Sequence, residues 1–395
     1  MPKTERLYYT DCCGREFEAK VLETTSDARG TRVVLDRTAF YPESGGQPSD
    51  RGTLGGANVL EVVDEGDVVA HILDRAPAGE IVKGEIDWRR RFDHMQQHTG
   101  QHVLSAAFEH VAKLKTVSFH LGAESSSIDL DSDRAGQRQI DDAEQSANQV
   151  VFENRPVRIY FRPAEEARQL DLRKATERAG DVRLVEIADF DLSACGGTHV
   201  SSTGSIGLIL VRKVERAKGK TRVEFLSGHR ALEAARRDHQ ALTEVARQFS
   251  ASGEQVPALL ARQFEELRTL NRSRQKLLER LAEVRARELY LAAPEQNGRR
   301  IVRVVLAPED EVDAKKLAHE IAAEPRAVAL IGVKGKPATL YFAQTPGGAA
   351  DMGALLKQTV ARFGGKGGGA RDFAQGGGVD EAHLEEALFL AESLL

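Results

Sequence analysis

An α+β multidomain chain is expected from length, from the change of pattern along the sequence and from its glycine-dense end. Its 395 residues exceed one ordinary domain. Residues 1–88 read as short β-branched runs cut by glycine and proline turns, whereas residues 230–292 read as helix with leucines at heptad spacing. Residues 293–395 alternate strand and helix patterns around a glycine-dense run. The expected layout is a small β-barrel (or sandwich) over 1–88, an α+β domain over 89–229, a helical hairpin or coiled coil over 230–292, and an α/β glycine-rich domain over 293–395.

In the first region "TRVVLDRTAFY", "ANVLEVVDEGDVVAHIL" and "IVKGEIDW" alternate apolar with polar or are β-branched, and "FYPESGGQPSDRG" carries the strongest turn signal. The second region opens on a helix in which Val103, Leu104, Ala107, Val111 and Leu114 recur at helical spacing. "SSSIDLD" and "VRIYFRP" predict strands, and helical patches are expected at about 141–154 and 163–178. "VRLVEIADF", "GLILVRKVE" and "TRVEFLSG" predict further strands around the loop "DLSACGGTHVSSTGS". In the third region "SASGE" separates two helices. The second helix places Leu260, Leu267 and Leu281 on one heptad position, interrupted by Arg274 and Glu288, and Leu270, Leu277, Val284 and Leu291 on another. Such a stripe either packs within the chain or joins two copies. In the fourth region "RIVRVVLA", "AVALIGV" and "ATLYFAQ" predict strands and "DAKKLAHEIAAE" a helix. Two more helices flank "GGKGGGARDFAQGGG", a run too glycine-dense for the interior of a helix or strand.

Composition narrows the function classes. The longest apolar run, "IGLILV", is strand-sized and far short of the roughly 18 residues of a membrane span. "MPKTERLYYTDCC" lacks the apolar core of a secretion signal, and Cys12, Cys13 and Cys195 make no disulfide framework. A reducing cytoplasm is the expected compartment. The net charge of −5 argues against a chain coated in positive charge, yet leaves room for a local RNA-binding face.

The chemistry begins at "HMQQHTGQHVLSAAF". His98 and His102, four apart on a helix, share one face. Two imidazoles do not make a tight metal site, and alone the pair is as ordinary as any two helix residues. "CGGTHV" supplies a second pair, Cys195 and His199, also four apart, with glycines that let the backbone turn so both side chains reach one ion. Three neutral imidazoles and one thiolate suit one tetrahedral Zn2+ per chain. Residue 99 is Thr and no Glu lies between the histidines, which disfavours a metalloprotease helix.

Taken in order, "FYPESGGQPSDRG", "HTGQHVLSAAF", "CGGTHV" and "GGKGGGARDFAQGGG" resemble the editing half of alanyl-tRNA synthetases and, more closely, the stand-alone alanyl-tRNA editing proteins of the long type. The resemblance covers nearly the whole chain. It implies a zinc site at His98, His102, Cys195 and His199, and a selectivity loop at Ser44, Gly45, Gly46 and Gln47 beside the editing pocket. For that loop a tight turn that needs its glycines is the plainer alternative. Glu43 has no implied role. The resemblance also implies a reaction: hydrolysis of the ester in serine- or glycine-mischarged tRNA(Ala), since a pocket for alanine discriminates weakly against one atom group more or less. Zinc can polarise the ester carbonyl, orient the terminal ribose or activate water. Four protein ligands would leave no vacant tetrahedral position. With no adenylating segment before the barrel, the chain is expected to cleave aminoacyl-tRNA and not to make it. One departure stands out: some synthetase editing domains carry a glutamine after the HxxxH helix, where this chain reads "TVSFHLG". His120 there is a candidate catalytic base or hydrogen-bond donor, or a structural strand residue.

RNA contacts are expected away from the zinc. "RKVERAKGKTR" offers Arg212, Lys213, Lys218, Lys220 and Arg222, either to phosphates or as a solvated hairpin tip. The terminal glycine run, whose Asp372, Phe373 and Gln375 match the family, adds Lys366 and Arg371 and resembles a DHH-associated domain that recognises the tRNA body. No membrane partner is expected, and a homodimer would form through the helical or C-terminal region. The competing reading is a non-catalytic tRNA-binding protein that zinc merely staples. A small-molecule metallohydrolase is weaker still, because it leaves the last domain unexplained.

Overall fold

The structure, a computed structural model, describes residues 3–27, 30–177, 179–307, 310 and 312–395. The α+β chain forms two compact units, Met1–Glu244 and Val245–Leu395.

In the first unit β1 (Glu5–Arg6) pairs in parallel with β4 (Arg37–Thr38). Around them β2 (Glu16–Asp27), β3 (Gly30–Leu35), β5 (Gly52–Leu54), β6 (Ala57–Glu65), β7 (Val68–Leu73) and β8 (Ile81–Ile86) close in the order β2-β3-β7-β6-β5-β8. Period-two burial drives this: Val33, Leu35, Phe40, Leu54, Val62 and Leu73 fill the interior. Gly52 has φ +152°, and a Cβ there would lie 2.0 Å from Glu85 O, so only glycine lets β5 lie so close against β8.

The centre of the unit is α1 (Trp88–Ala112), capped by the Asp87 side chain and ended at Lys113 in the left-handed region. Every residue from His94 to Phe108 is buried, although many are polar. Burial is tolerable where partners exist. Gln97 exchanges two 2.9 Å hydrogen bonds with the Ser227 backbone. Arg91 ion-pairs with Asp50 and donates to the Cys12 and Ala39 carbonyls, fixing α1 to the barrel. Beside α1 lie β9 (Thr116–Leu121) and β10 (Ser126–Leu130), which join β14 (Ile209–Ala217) and β15 (Lys220–Ser227) in the order β14-β15-β10-β9. α2 (Gln137–Phe152) packs on α1; β11 (Val157–Pro163), β12 (Asp181–Ile187) and β13 (Asp191–Ala194) form a third sheet, and α4 (Gly228–Gln248) follows β15.

One expected helix is largely absent. Of the patch at 163–178, only α3 (Ala164–Ala167) is helical, and Arg178 lies outside the described residues. Further on the backbone is drawn elsewhere: Arg173 N donates to Leu192 O, and the Arg173 guanidinium to Asp191.

In the second unit α5 (Val256–Ala292) leads into a mixed sheet of β16 (Glu295–Gln296), β17 (Arg299–Leu306), β18 (Ala327–Val333), β19 (Ala338–Gln344), β20 (Lys366–Gly369) and β21 (Phe373–Val379), ordered β16-β17-β18-β19-β21-β20. α6 (Ala314–Ala323) and the end of α5 cover one face through Leu317, Ile321, Ala282 and Ala286. α7 (Met352–Arg362) and α8 (Leu384–Ser393) cover the other through Leu356 and Leu388. The glycine run corrects the expectation that it lies outside regular structure, because it supplies both β20 and β21. A Cβ at Gly367 would lie 2.6 Å from Gly376 Cα and 3.0 Å from Leu356, so missing side chains are what let the strands and α7 approach. The leucine stripe is not packed within the chain: Leu260, Leu267, Leu270, Leu277, Leu281, Val284 and Leu291 are all exposed.

Candidate metal centre

The two histidine and cysteine pairs converge. His98 and His102 come from the middle of α1, and Cys195 and His199 from the loop after β13. One ligand atom from each lies within 4.8 Å of every other. His98 Nε2 and His199 Nε2 stand 3.4 and 3.3 Å from Cys195 Sγ. A tetrahedral ion with ordinary zinc bond lengths separates its ligands by about 3.3–3.6 Å. The donor set and its spacing therefore fit zinc.

The other nitrogen of each ring decides where these lone pairs point. His98 Nδ1 donates to Gln47 Oε1 at 2.8 Å, His102 Nδ1 to Asp191 Oδ2 at 3.0 Å, and His199 Nδ1 to Thr99 Oγ1 at 3.2 Å. An oxygen acceptor at Nδ1 puts the proton there and leaves Nε2 free to ligate. The supports are supported in turn. Gln47 donates to Thr198 Oγ1 at 2.7 Å and accepts from Thr198 N at 3.1 Å, while Asp191 accepts from Arg173 at 2.6 Å.

The electrostatics agree. Burial, then Arg183, holds His98 down at about 3, and burial with the neighbouring imidazoles holds His199 well below its ordinary value, so both rings stay neutral. Burial pushes the Cys195 thiol up, but the His102 contact, the Gly197 amide and Arg183 outweigh it and lower its pKa toward the thiolate. Burial also raises Asp191, yet His102 and Arg173 win and hold it at about 2. Neutral rings at His98 and His199 and a Cys195 thiol drawn toward the thiolate are states that metal ligation requires.

The glycines of "CGGTHV" act differently from the expected sharp turn. Among the described residues neither Gly196 nor Gly197 has positive φ, but a Cβ on Gly197 would lie 2.1 Å from His98 Cε1. Glycine is needed at 197 for close approach.

The loop from the barrel reaches this centre. Gly45 and Gly46 have φ +56° and +81°, Ser44 bridges to Gln47, and Tyr41 OH donates to Ser44 O at 3.1 Å. The Phe119 ring lies 3.1 Å from where a Gly46 Cβ would be, and its centroid is 5.9 Å from that of His98.

The chain matches two family models, "Threonyl and Alanyl tRNA synthetase second additional domain" over residues 182–224 and "tRNA synthetases class II (A)" over residues 3–90. The alanine-tRNA ligase of Natronomonas pharaonis is 35% identical over 100% of this chain, which spans 44% of the ligase's length. The Alanyl-tRNA editing protein AlaX-L of Pyrococcus horikoshii is 32% identical, and the match covers 94% of both chains. The chain belongs to the alanyl-tRNA editing protein family. In this family member, the first matched stretch spans β12 to β15, which carry Cys195 and His199 between them, and the second ends in the first turn of α1.

None of the other residues singled out from the sequence belongs to the four-residue cluster. His120 is exposed on β9 opposite Ser127, and strand alternation turns it to the face away from Phe119. On the β14–β15 hairpin Arg212 pairs with Asp238, Lys213 with Glu215 and Arg222 with Asp129; among the described residues Lys218 and Lys220 have no ion pair. Lys366 is exposed on β20, and Arg371 donates to Gly348 O at 3.4 Å. Asp191, Arg173, Thr99 and Phe119 carry no signal in the sequence motifs, yet the structure places them around the cluster. Phe119 does follow from alternation once His120 is noticed. Asp191 precedes Cys195 by four residues but reaches a helix 89 residues earlier, which no local spacing signals.

Proposed function

We propose that this editing-family chain is a zinc-dependent aminoacyl-tRNA deacylase that hydrolyses Ser-tRNA(Ala), Gly-tRNA(Ala) or both. The observation that carries this is the convergence of three Nε2 lone pairs and one thiol, each imidazole pre-aimed through its Nδ1. When bound, zinc supplies a Lewis acid for the ester carbonyl or the terminal ribose. The protein's own residues do the rest. Gln47 couples the Ser44–Gln47 loop to His98, so the segment that would meet the amino acid is held in register with the centre. Gly46 and the Phe119 ring shape an apolar wall that suits a small side chain. Cys195, alone among the four, is only partly buried, so the substrate would approach from its side.

Lys218, Lys220 and Lys366 would meet phosphates, with Arg212, Lys213, Arg222 and Arg371 exchanging their present partners for RNA only at a cost. The uncovered leucines of α5 support self-association through that helix. An antiparallel pairing would keep Arg274 and Glu288 from facing themselves.

The test is deacylation of Ser-, Gly- and Ala-tRNA(Ala) by metal-loaded and chelator-stripped protein. Chelator-sensitive loss of serine or glycine, with alanine spared, is expected. Tight tRNA binding without turnover would favour the non-catalytic reading, which the full set of four protein ligands supports.

A further inference from the structure

One helical turn before His98, at the start of α1, a cavity of about 570 Å³ lies outside the metal centre. Its walls include Trp88, Arg90, Phe92, His94, Ala123 and Arg230. Trp88 and Phe92 are stacked, with ring centroids 5.6 Å apart and planes at 29°, and the Arg15 guanidinium carbon lies over the Trp88 ring, 4.3 Å from its centroid, so a base would have to stack on the Phe92 side or displace Arg15. Arg230 is held by Asp93 at 2.5 Å, closing one side. Two groups in this wall are unfinished. His94 is 3% exposed, yet its Nδ1 has no hydrogen-bond partner among the described residues. The Arg90 guanidinium donates to Ser49 O at 3.0 Å and has no carboxylate partner among those residues. Burial, then Arg90, holds His94 down at about 4, so the ring is a neutral hydrogen-bonding edge and not a second cation.

A buried imidazole with an orphaned nitrogen costs free energy unless something fills it. Aromatic planes, an unpaired guanidinium and an open hydrogen-bonding edge are together what an unpaired nucleotide requires. A base stacks on a ring, a phosphate meets a cation and the base edge finds a donor or acceptor. Position supports the same ligand. β9 carries Phe119 against His98, and Ala123, just beyond its end, lines the cavity. His94 and His98 are separated by about 6 Å of helix rise. The geometry points to this cavity as a subsite for an unpaired nucleotide of the RNA strand that leads to the esterified terminal adenosine. The inference rests on the tRNA-hydrolase reading.

Trp88 is the sole tryptophan in the sequence, so its emission reports on the cavity alone. The zinc-loaded full chain would be titrated with uncharged tRNA(Ala) carrying its complete 3′ end, with binding followed separately by anisotropy of a 5′-labelled tRNA. Trp88 quenching should track saturation, and a tRNA lacking its unpaired 3′ nucleotides should bind without quenching. His94→Leu and Arg90→Met should each weaken binding of a CCA-ended ribo-oligonucleotide about tenfold, with zinc content and melting unchanged. Bound tRNA with unchanged Trp88 emission would overturn the subsite, as would wild-type oligonucleotide affinity in both folded variants. If deacylation persists alongside either result, the hydrolase reading stands and only the subsite falls. Absence of any tRNA binding removes both.

Discussion

His98 and His94 sit one turn apart on α1, both buried and both held neutral, and they differ in the company of one atom. His98 Nδ1 donates to Gln47, which is itself anchored to Thr198, whereas His94 Nδ1 meets no partner among the described residues. A ring aimed by an internal acceptor has its other nitrogen prepared for ligation. At the four-residue cluster three oxygen acceptors lie on the far sides of three rings, which fixes the near sides. At the cavity the ring is buried and unspecified, which marks a place where the partner comes from outside.

His102→Ala or Cys195→Ala should abolish stoichiometric zinc and reduce deacylation by at least about 100-fold. The second unit should keep its own unfolding transition, read by metal analysis and urea melts. Gly197→Ala should also lose zinc, because the new Cβ would occupy the space of the His98 ring. Asp191→Asn or Gln47→Ala keeps all four ligands but loosens their aim, and should cost about 10–100-fold in zinc affinity. Unchanged affinity in both would mean the Nδ1 contacts are incidental.

Arg91→Met leaves Asp50 buried and unpaired, and should destabilise the first unit by about 3–5 kcal/mol in urea melts. His71, buried in the barrel, is a satisfied histidine with no metal role: it donates from Nδ1 to Val33 O at 3.2 Å and accepts from Thr38 Oγ1 at 2.8 Å. Burial lowers it from 6.5 to about 4. In that interval the unfolded chain binds a proton that the folded chain refuses, so its contribution is full above pH 6.5 and lost as pH falls to about 4. The loss should be about 3 kcal/mol, and His71→Asn should flatten that part of the pH–stability curve. The smallest effect is expected at His120. A general base contributes about 10²–10⁴-fold, but the exposed position of His120 predicts that His120→Ala deacylates near the wild-type rate.

The four residues of the cluster are legible in the sequence because each pair lies within one local segment, where spacing and helix geometry speak. Their supports were not, because Asp191 reaches His102 only through the pairing of β12 with β13 and the packing of α1. Gln47 was visible as part of a turn, but its bond to His98 joins residues 51 apart. The strand patterns of the first and last regions were readable from alternation. The glycine strands β20 and β21 were not, since glycine carries no periodic signal and its fitness appears only once α7 and the paired strand are in place. The 163–178 patch shows the reverse error, helical in composition but claimed by β13 and Asp191.

On the proposed reading, hydrolysis of mischarged tRNA(Ala) depends on a metal held by the four-residue cluster. The most direct test is single-turnover deacylation of Ser-tRNA(Ala) by the full chain as purified, after chelation, and after zinc is restored. Activity that disappears with the metal and returns with one zinc per chain is the predicted result. Full activity in verified metal-free protein would contradict it.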